Sequence, residues 1–173
     1  MKIKGFLLIV LIFFSVIETN LAQTADADTV KSISRINGEI EIDGIVDEKA
    51  WSAVRPLQLT MHWPDFQGSI TEPTEIRVAY DDEHLYVGAI CYDSDPSKIQ
   101  TPTFQRDRWG QDMDQLTILL DPYNDNENGL IFSVTASGSR IDVAIKNDAQ
   151  GNNPINISWN SYWSAQTTRD EQG

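Results

Sequence analysis

Apolar residues recur at every second position along this chain, in runs too short for anything but strands. Ile76, Val78 and Tyr80 form one such run, and Leu85, Val87, Ala89 and Cys91 the next. Leu116, Ile118 and Leu120, then Leu130, Phe132 and Val134, then Ile141, Val143 and Ile145 repeat the pattern. A period of two places each set on one face of an extended chain. Turn residues separate the runs: Asp81 to Glu83, the stretch DPYNDNENG from Asp121, and Ser137-Gly138. Ile40 and Ile42 alternate with Glu39 and Glu41, Leu57 to Trp63 alternates, and WNSYWSAQTT begins a further run. About seven short strands with regular turns predict an all-β antiparallel sandwich, immunoglobulin-like or jelly-roll-like. One short helix is expected. Asp47 would cap it, Ala50, Trp51 and Val54 would face inward, and Pro56 would stop it.

The N-terminus reads differently. Lys2 and Lys4 precede an apolar run from Phe6 to Ile17, and small and polar residues follow. This is the layout of a secretory signal peptide, residues 1–22, with cleavage expected before Gln23. The run is too short to span a bilayer comfortably. Residues 23–34 lack periodicity and read as a flexible leader, leaving the domain at 35–173. The closing TRDEQG reads as a turn awaiting a partner strand, so the domain is expected to continue in a longer exported protein, in the periplasm, cell envelope or medium.

The chain has 13 Lys and Arg against 26 Asp and Glu. Without residues 1–22 the balance is 11 against 25, a net charge of −14. Nucleic acid is disfavoured, because phosphate contacts need a basic face. Acidic loops instead suit hard cations such as calcium, which takes six to eight oxygens. Asp93 and Asp95 are the first candidates, since they leave a strand at fixed positions; Asp112, Asp114 and Asp121 follow. The lone Cys91 excludes an intrachain disulfide and reads as a buried small hydrophobe. His62 and His84 are too few for a histidine cluster, and no nucleophile elbow, phosphate loop or zinc spacing occurs. Intrinsic catalysis is not expected of the module.

Four pieces carry a resemblance: IDGIVDEKAW, EIRVAYDDEHLYVGAICYDSDP, WGQDMDQLTILLD and GLIFSVTASGSRID. In this order, across about residues 36–146, they resemble the family 9 carbohydrate-binding modules and their DOMON-like relatives. The variant is similar to the N-terminal module of large exported bacterial proteins that have an uncharacterised C-terminal region. The resemblance implies a non-catalytic sugar-binding domain. Such a domain tethers a larger protein, such as a glycoside hydrolase, to cellulose- or xylan-type polysaccharide. It implies that Trp109 stacks on a sugar ring, and that calcium stiffens the loops. Arg106, Arg108, Asp112 and Arg140 are then the side chains that would take hydroxyls. A pyranose offers an apolar C–H face to an aromatic ring and needs polar partners at its edge. Thr117 and Ser133 stand where sugar-binding members have a glutamate and an arginine. That departure keeps a second expectation open, a structural or docking domain that has lost the sugar site. The haem-binding DOMON-like relatives are less well matched. Met61 and His62 are adjacent and would point to opposite faces of a strand, which leaves only Met113 with His84 as an axial pair, against the plainer reading of a packing methionine and a surface histidine.

Overall fold

The computed structural model describes residues 32–110 and 112–173. The expected signal peptide and most of the leader lie outside the described residues. The fold is all-β, with two sheets built mainly of antiparallel pairs. The first sheet has the order β1-β2-β3: β1 is Ser34–Arg35, β2 Thr74–Tyr80 and β3 Leu85–Cys91. The second has the order β4-β5-β6-β7: β4 is Gln115–Leu120, β5 Gly129–Thr135, β6 Arg140–Ile145 and β7 Ile155–Asn156. The five long strands are those that the alternation predicts. The one parallel pairing joins β1 to β2, with Ser34 opposite Ala79.

The β2–β3 hairpin aligns Val78 with Val87 and Ile76 with Ala89, so the two alternating apolar sets share a face. The tightest packing lies on the other face. Ala79 is fully buried there and clusters with Ile36, Trp51 and Val54. Trp51 explains the inversion. A Cβ on Gly88 would come within 3.1 Å of its indole, so the glycine in mid-strand lets the ring approach the sheet closely. The indole N–H donates to Glu48 Oε2 at 3.0 Å, and Glu48 Oε1 accepts the Glu41 amide at 2.8 Å.

Four local expectations change. The predicted helix is a five-residue 3-10 turn, Lys49–Ala53, preceded by Glu48 rather than capped by Asp47. So few residues before Pro56 cannot repay the nucleation of an α-helix. Ile40–Ile42 and Leu57–Trp63 alternate but join no ladder; Leu57 N–H makes a single bond to Ile76 O at 2.7 Å. Cys91 is exposed at the end of β3, not buried. Residues Trp159 to Thr168 also form no ladder, although alternate side chains are half-buried as in a strand.

The tip of the hairpin shows why an aspartate stands there. Asp81 Oδ1 accepts the amides of Glu83 at 2.8 Å and His84 at 2.7 Å, and Oδ2 accepts the Tyr86 hydroxyl at 2.8 Å. The Glu83 amide, the Tyr86 hydroxyl and the His84 amide hold the Asp81 carboxyl below its ordinary range. The folded form therefore gains stability from this group above the usual carboxylate pKa of about 3.9, and loses it as pH falls through the lower folded value. Thermal melts of the parent and Asp81→Asn should differ most near neutral pH. The gap should narrow as the pH drops below about 4. A pH-independent gap would rule out this electrostatic role.

Candidate functional site

The connection from Gln100 to Asp114 carries most of the candidate site residues, and it is closed at its neck. Gln100 N–H donates to Asp114 Oδ2 at 2.7 Å, and Asp114 N–H donates back to Gln100 O at 3.0 Å. The loop is then tied to the second sheet. Ala136 N–H donates to Asp114 O at 3.0 Å, Ser137 Oγ to Thr103 O at 3.0 Å, and Asp107 N–H to Arg140 O at 3.0 Å. Asp107 itself takes a left-handed conformation, with φ 59°, which aspartate tolerates better than most residues.

The strongest tie is ionic. In β6 the three successive residues Ile141, Asp142 and Val143 are all buried, so both faces of that strand are covered. Asp142 lies opposite Phe132, on the face away from Ile141 and Val143. Its carboxylate accepts Arg106 Nη2 at 2.5 Å and the Ser161 amide at 2.5 Å. Arg106 also donates to Asn160 Oδ1 at 3.3 Å. One buried carboxylate thus binds the loop and the segment after β7. That segment places Trp159 and Trp163 edge-on to Phe132, with ring centroids 5.9 and 5.3 Å away.

The five residues expected to contact sugar have different situations. Trp109 is half-exposed, at 49%. Arg108 Nη2 pairs with Asp112 Oδ2 at 3.1 Å, both side chains partly in solvent. Arg106 is committed to Asp142, yet its side chain keeps about a third of its surface open. Arg140 lies over the Trp163 ring, 5.7 Å from its centroid, and donates to Trp163 O. Its backbone oxygen holds Asp107. Among the described residues, Asp107 Oδ1, Arg108 Nη1 and Trp163 Nε1 are shielded yet have no hydrogen-bond partner. Such atoms are unusual in a folded protein, and two of them belong to the residues just before Trp109 in sequence.

Thr117 and Ser133 stand opposite each other across β4 and β5, with hydroxyls 2.8 Å apart. Ser133 also reaches Leu116 O at 3.1 Å and is fully buried. Two residues that the sequence reading passed over belong with the loop. Phe104 is 81% exposed, and Asp142 anchors Arg106. A bulky apolar residue in a polar loop is the signal for the first. The second had a weaker one: an aspartate between isoleucine and valine in mid-strand, on the face that the alternation leaves to polar residues, where its burial could not be read.

The candidate calcium residues are engaged locally. Asp93 Oδ1 accepts the Asp95 amide at 2.7 Å. Asp95 accepts the Ser97 hydroxyl at 2.5 Å and pairs with Lys98 Nζ at 2.8 Å, and Lys98 holds its carboxyl below the ordinary range. A lysine ammonium so close repels a cation, so this pair as arranged does not fit calcium. Asp121 and Asp125 likewise spend their oxygens on amides of their own turn, from Tyr123 to Asn128. Among the described residues, no three His, Cys, Asp or Glu side chains gather in metal-ligating geometry.

Removing Arg106 would strand a buried charge. Arg106→Ala should cost about 3 kcal/mol of stability in urea unfolding, at the lower end for a broken buried pair because the guanidinium is partly solvated. Arg108→Ala, which breaks the exposed pair, should cost under about 1 kcal/mol. Equal losses from the two would contradict the assignment of Asp142 as anchor.

Comparison with known proteins places this loop in context. Searches of curated proteins and of solved structures give no match. A family model described as carbohydrate family 9 binding domain-like matches residues 42–150, which is more than half of the chain and runs from the Trp51 turn through β6. The chain belongs to the carbohydrate family 9 binding domain-like family.

Proposed function

We propose that this domain is a non-catalytic glycan-binding module, with Trp109 as its stacking surface and the Arg108–Asp112 pair as its hydrogen-bonding partner. Family membership supports carbohydrate binding in general. The observation that carries the residue assignment is the tryptophan itself, half-exposed on a loop tied to the sheet at several points. A ring on a fixed loop offers stacking area at little ordering cost. Beside it, a guanidinium and a carboxylate 3.1 Å apart supply donors and acceptors for adjacent hydroxyls. In this reading the domain tethers a larger exported protein to cellulose- or xylan-type polysaccharide. Whatever catalysis accompanies it, such as hydrolysis of glycosidic bonds, belongs to other parts of that protein.

A second reading is favoured by one observation. Thr117 and Ser133 hydrogen-bond to each other, and the buried serine turns part of its capacity to its own sheet. A closed pair of neutral hydroxyls offers a sugar less than a carboxylate and a guanidinium at those places. That would suit a structural or docking domain which keeps the fold without the family's sugar site.

Calorimetric titration with cello- and xylo-oligosaccharides separates the two. Parent protein should bind saturably, and Trp109→Ala should lose at least about tenfold in affinity, or 1.4 kcal/mol. The titration is repeated with calcium and with chelator, and a chelator-sensitive affinity would support a calcium site of some other composition. No heat with any glycan, from protein with an unchanged melting transition, would leave the docking reading.

A further inference from the structure

A second aromatic surface lies outside the loop just described. Residues 62–67, HWPDFQ, are all exposed, six in succession. Trp63 is 82% exposed and Phe66 66%. Isolated exposed apolar residues are ordinary, but two large rings within four residues on one short loop are not. The loop is also held in shape. Gln67 N–H donates to Met61 O at 2.8 Å across its base, and Gly68 N–H donates to Asp65 O at 2.8 Å. The His62 ring meets Phe66 edge-on at 6.0 Å. Gly68 fits tightly there, because a Cβ would come 2.8 Å from Asp65 O. The rings are therefore carried by a closed loop and not by a loose strand end.

We infer that the Met61–Gly68 loop is a second glycan-contacting platform, suited to the flat face of a packed, insoluble polysaccharide. Its chemistry is that of sugar recognition: two π-faces for pyranose C–H groups, with Asp65 and Gln67 between and beside them for hydroxyls. Its six successive residues 62–67 are all exposed. Consecutive exposed residues at a loop tip meet a flat surface more readily than they enclose a single chain end. The charge argues against the other common use of exposed tryptophan and phenylalanine, a lipid surface. The chain has a formal net charge of −13, and no Lys or Arg occurs between Arg55 and Arg77 to draw this loop to anionic headgroups. Two platforms on one domain raise the effective concentration of each on a polymer surface, where many copies of the ligand are presented.

The platform does not depend on Trp109, and the test keeps them apart. Depletion isotherms on insoluble cellulose and xylan, and calorimetry with soluble oligosaccharides, are run on the full chain. The variants are Trp63→Ala/Phe66→Ala, Trp109→Ala and the triple variant. Both rings are mostly in solvent, so the double variant should melt like the parent. It should bind insoluble polysaccharide about tenfold more weakly and soluble oligosaccharide unchanged. Trp109→Ala should show the opposite emphasis. Retention of surface binding in Trp109→Ala, with loss in the double variant, would support the platform even if the Trp109 assignment failed. Parent and double variant binding polysaccharide alike, or neither binding it, would overturn the inference. So would stronger ring-dependent partition into phosphatidylcholine vesicles than onto polysaccharide.

Discussion

The buried carboxylate of Asp142 organises one end of this domain. A charge removed from water is tolerable only if partners replace the lost solvent, and here they come from two separate stretches of chain. Arg106 reaches it from the loop between the sheets, and the Ser161 amide from the segment beyond β7. Neither stretch has a ladder of its own. The ion pair gives both a fixed seat on β6, and Phe132, Trp159 and Trp163 close over the same face. Trp109 is presented by a loop whose position follows from that arrangement.

This division of labour explains why the expected arginines differ. Arg106 and Arg140 hold the scaffold together, the first through Asp142 and the second through the Trp163 ring and carbonyl. Arg108 and Asp112 are left at the surface, where their pairing adds little stability and remains available to hydroxyls. On the sheet, the hydroxyls of Thr117 and Ser133 satisfy one another.

Much of the fold was legible because period-two alternation and turn chemistry are local signals. The hairpin Thr74–Cys91 and the strands β4, β5 and β6 lie where the apolar residues alternate. The failures have a common cause. Ile40–Ile42 and Leu57–Trp63 alternate equally well, but a strand needs a neighbour, and pairing is a long-range fact that no single stretch contains. The more tightly packed face of the hairpin was hidden for the same reason, since it is Trp51, some distance upstream, that covers Ala79 and Gly88. Trp109 could be singled out as an aromatic among polar loop residues. The partner that immobilises its loop, 36 positions from Arg106, could not.

The most direct test of this account is hydrogen exchange, followed by mass spectrometry, on the parent and on Asp142→Asn. The asparagine keeps the volume and removes the charge. The amides of residues 100–114 and of 158–163 should exchange faster together, while the β2–β3 hairpin keeps its protection. Unchanged exchange in both segments would contradict a central role for the carboxylate. So would a uniform rise across the whole domain, which would mean that Asp142 supports global stability and not these two segments in particular.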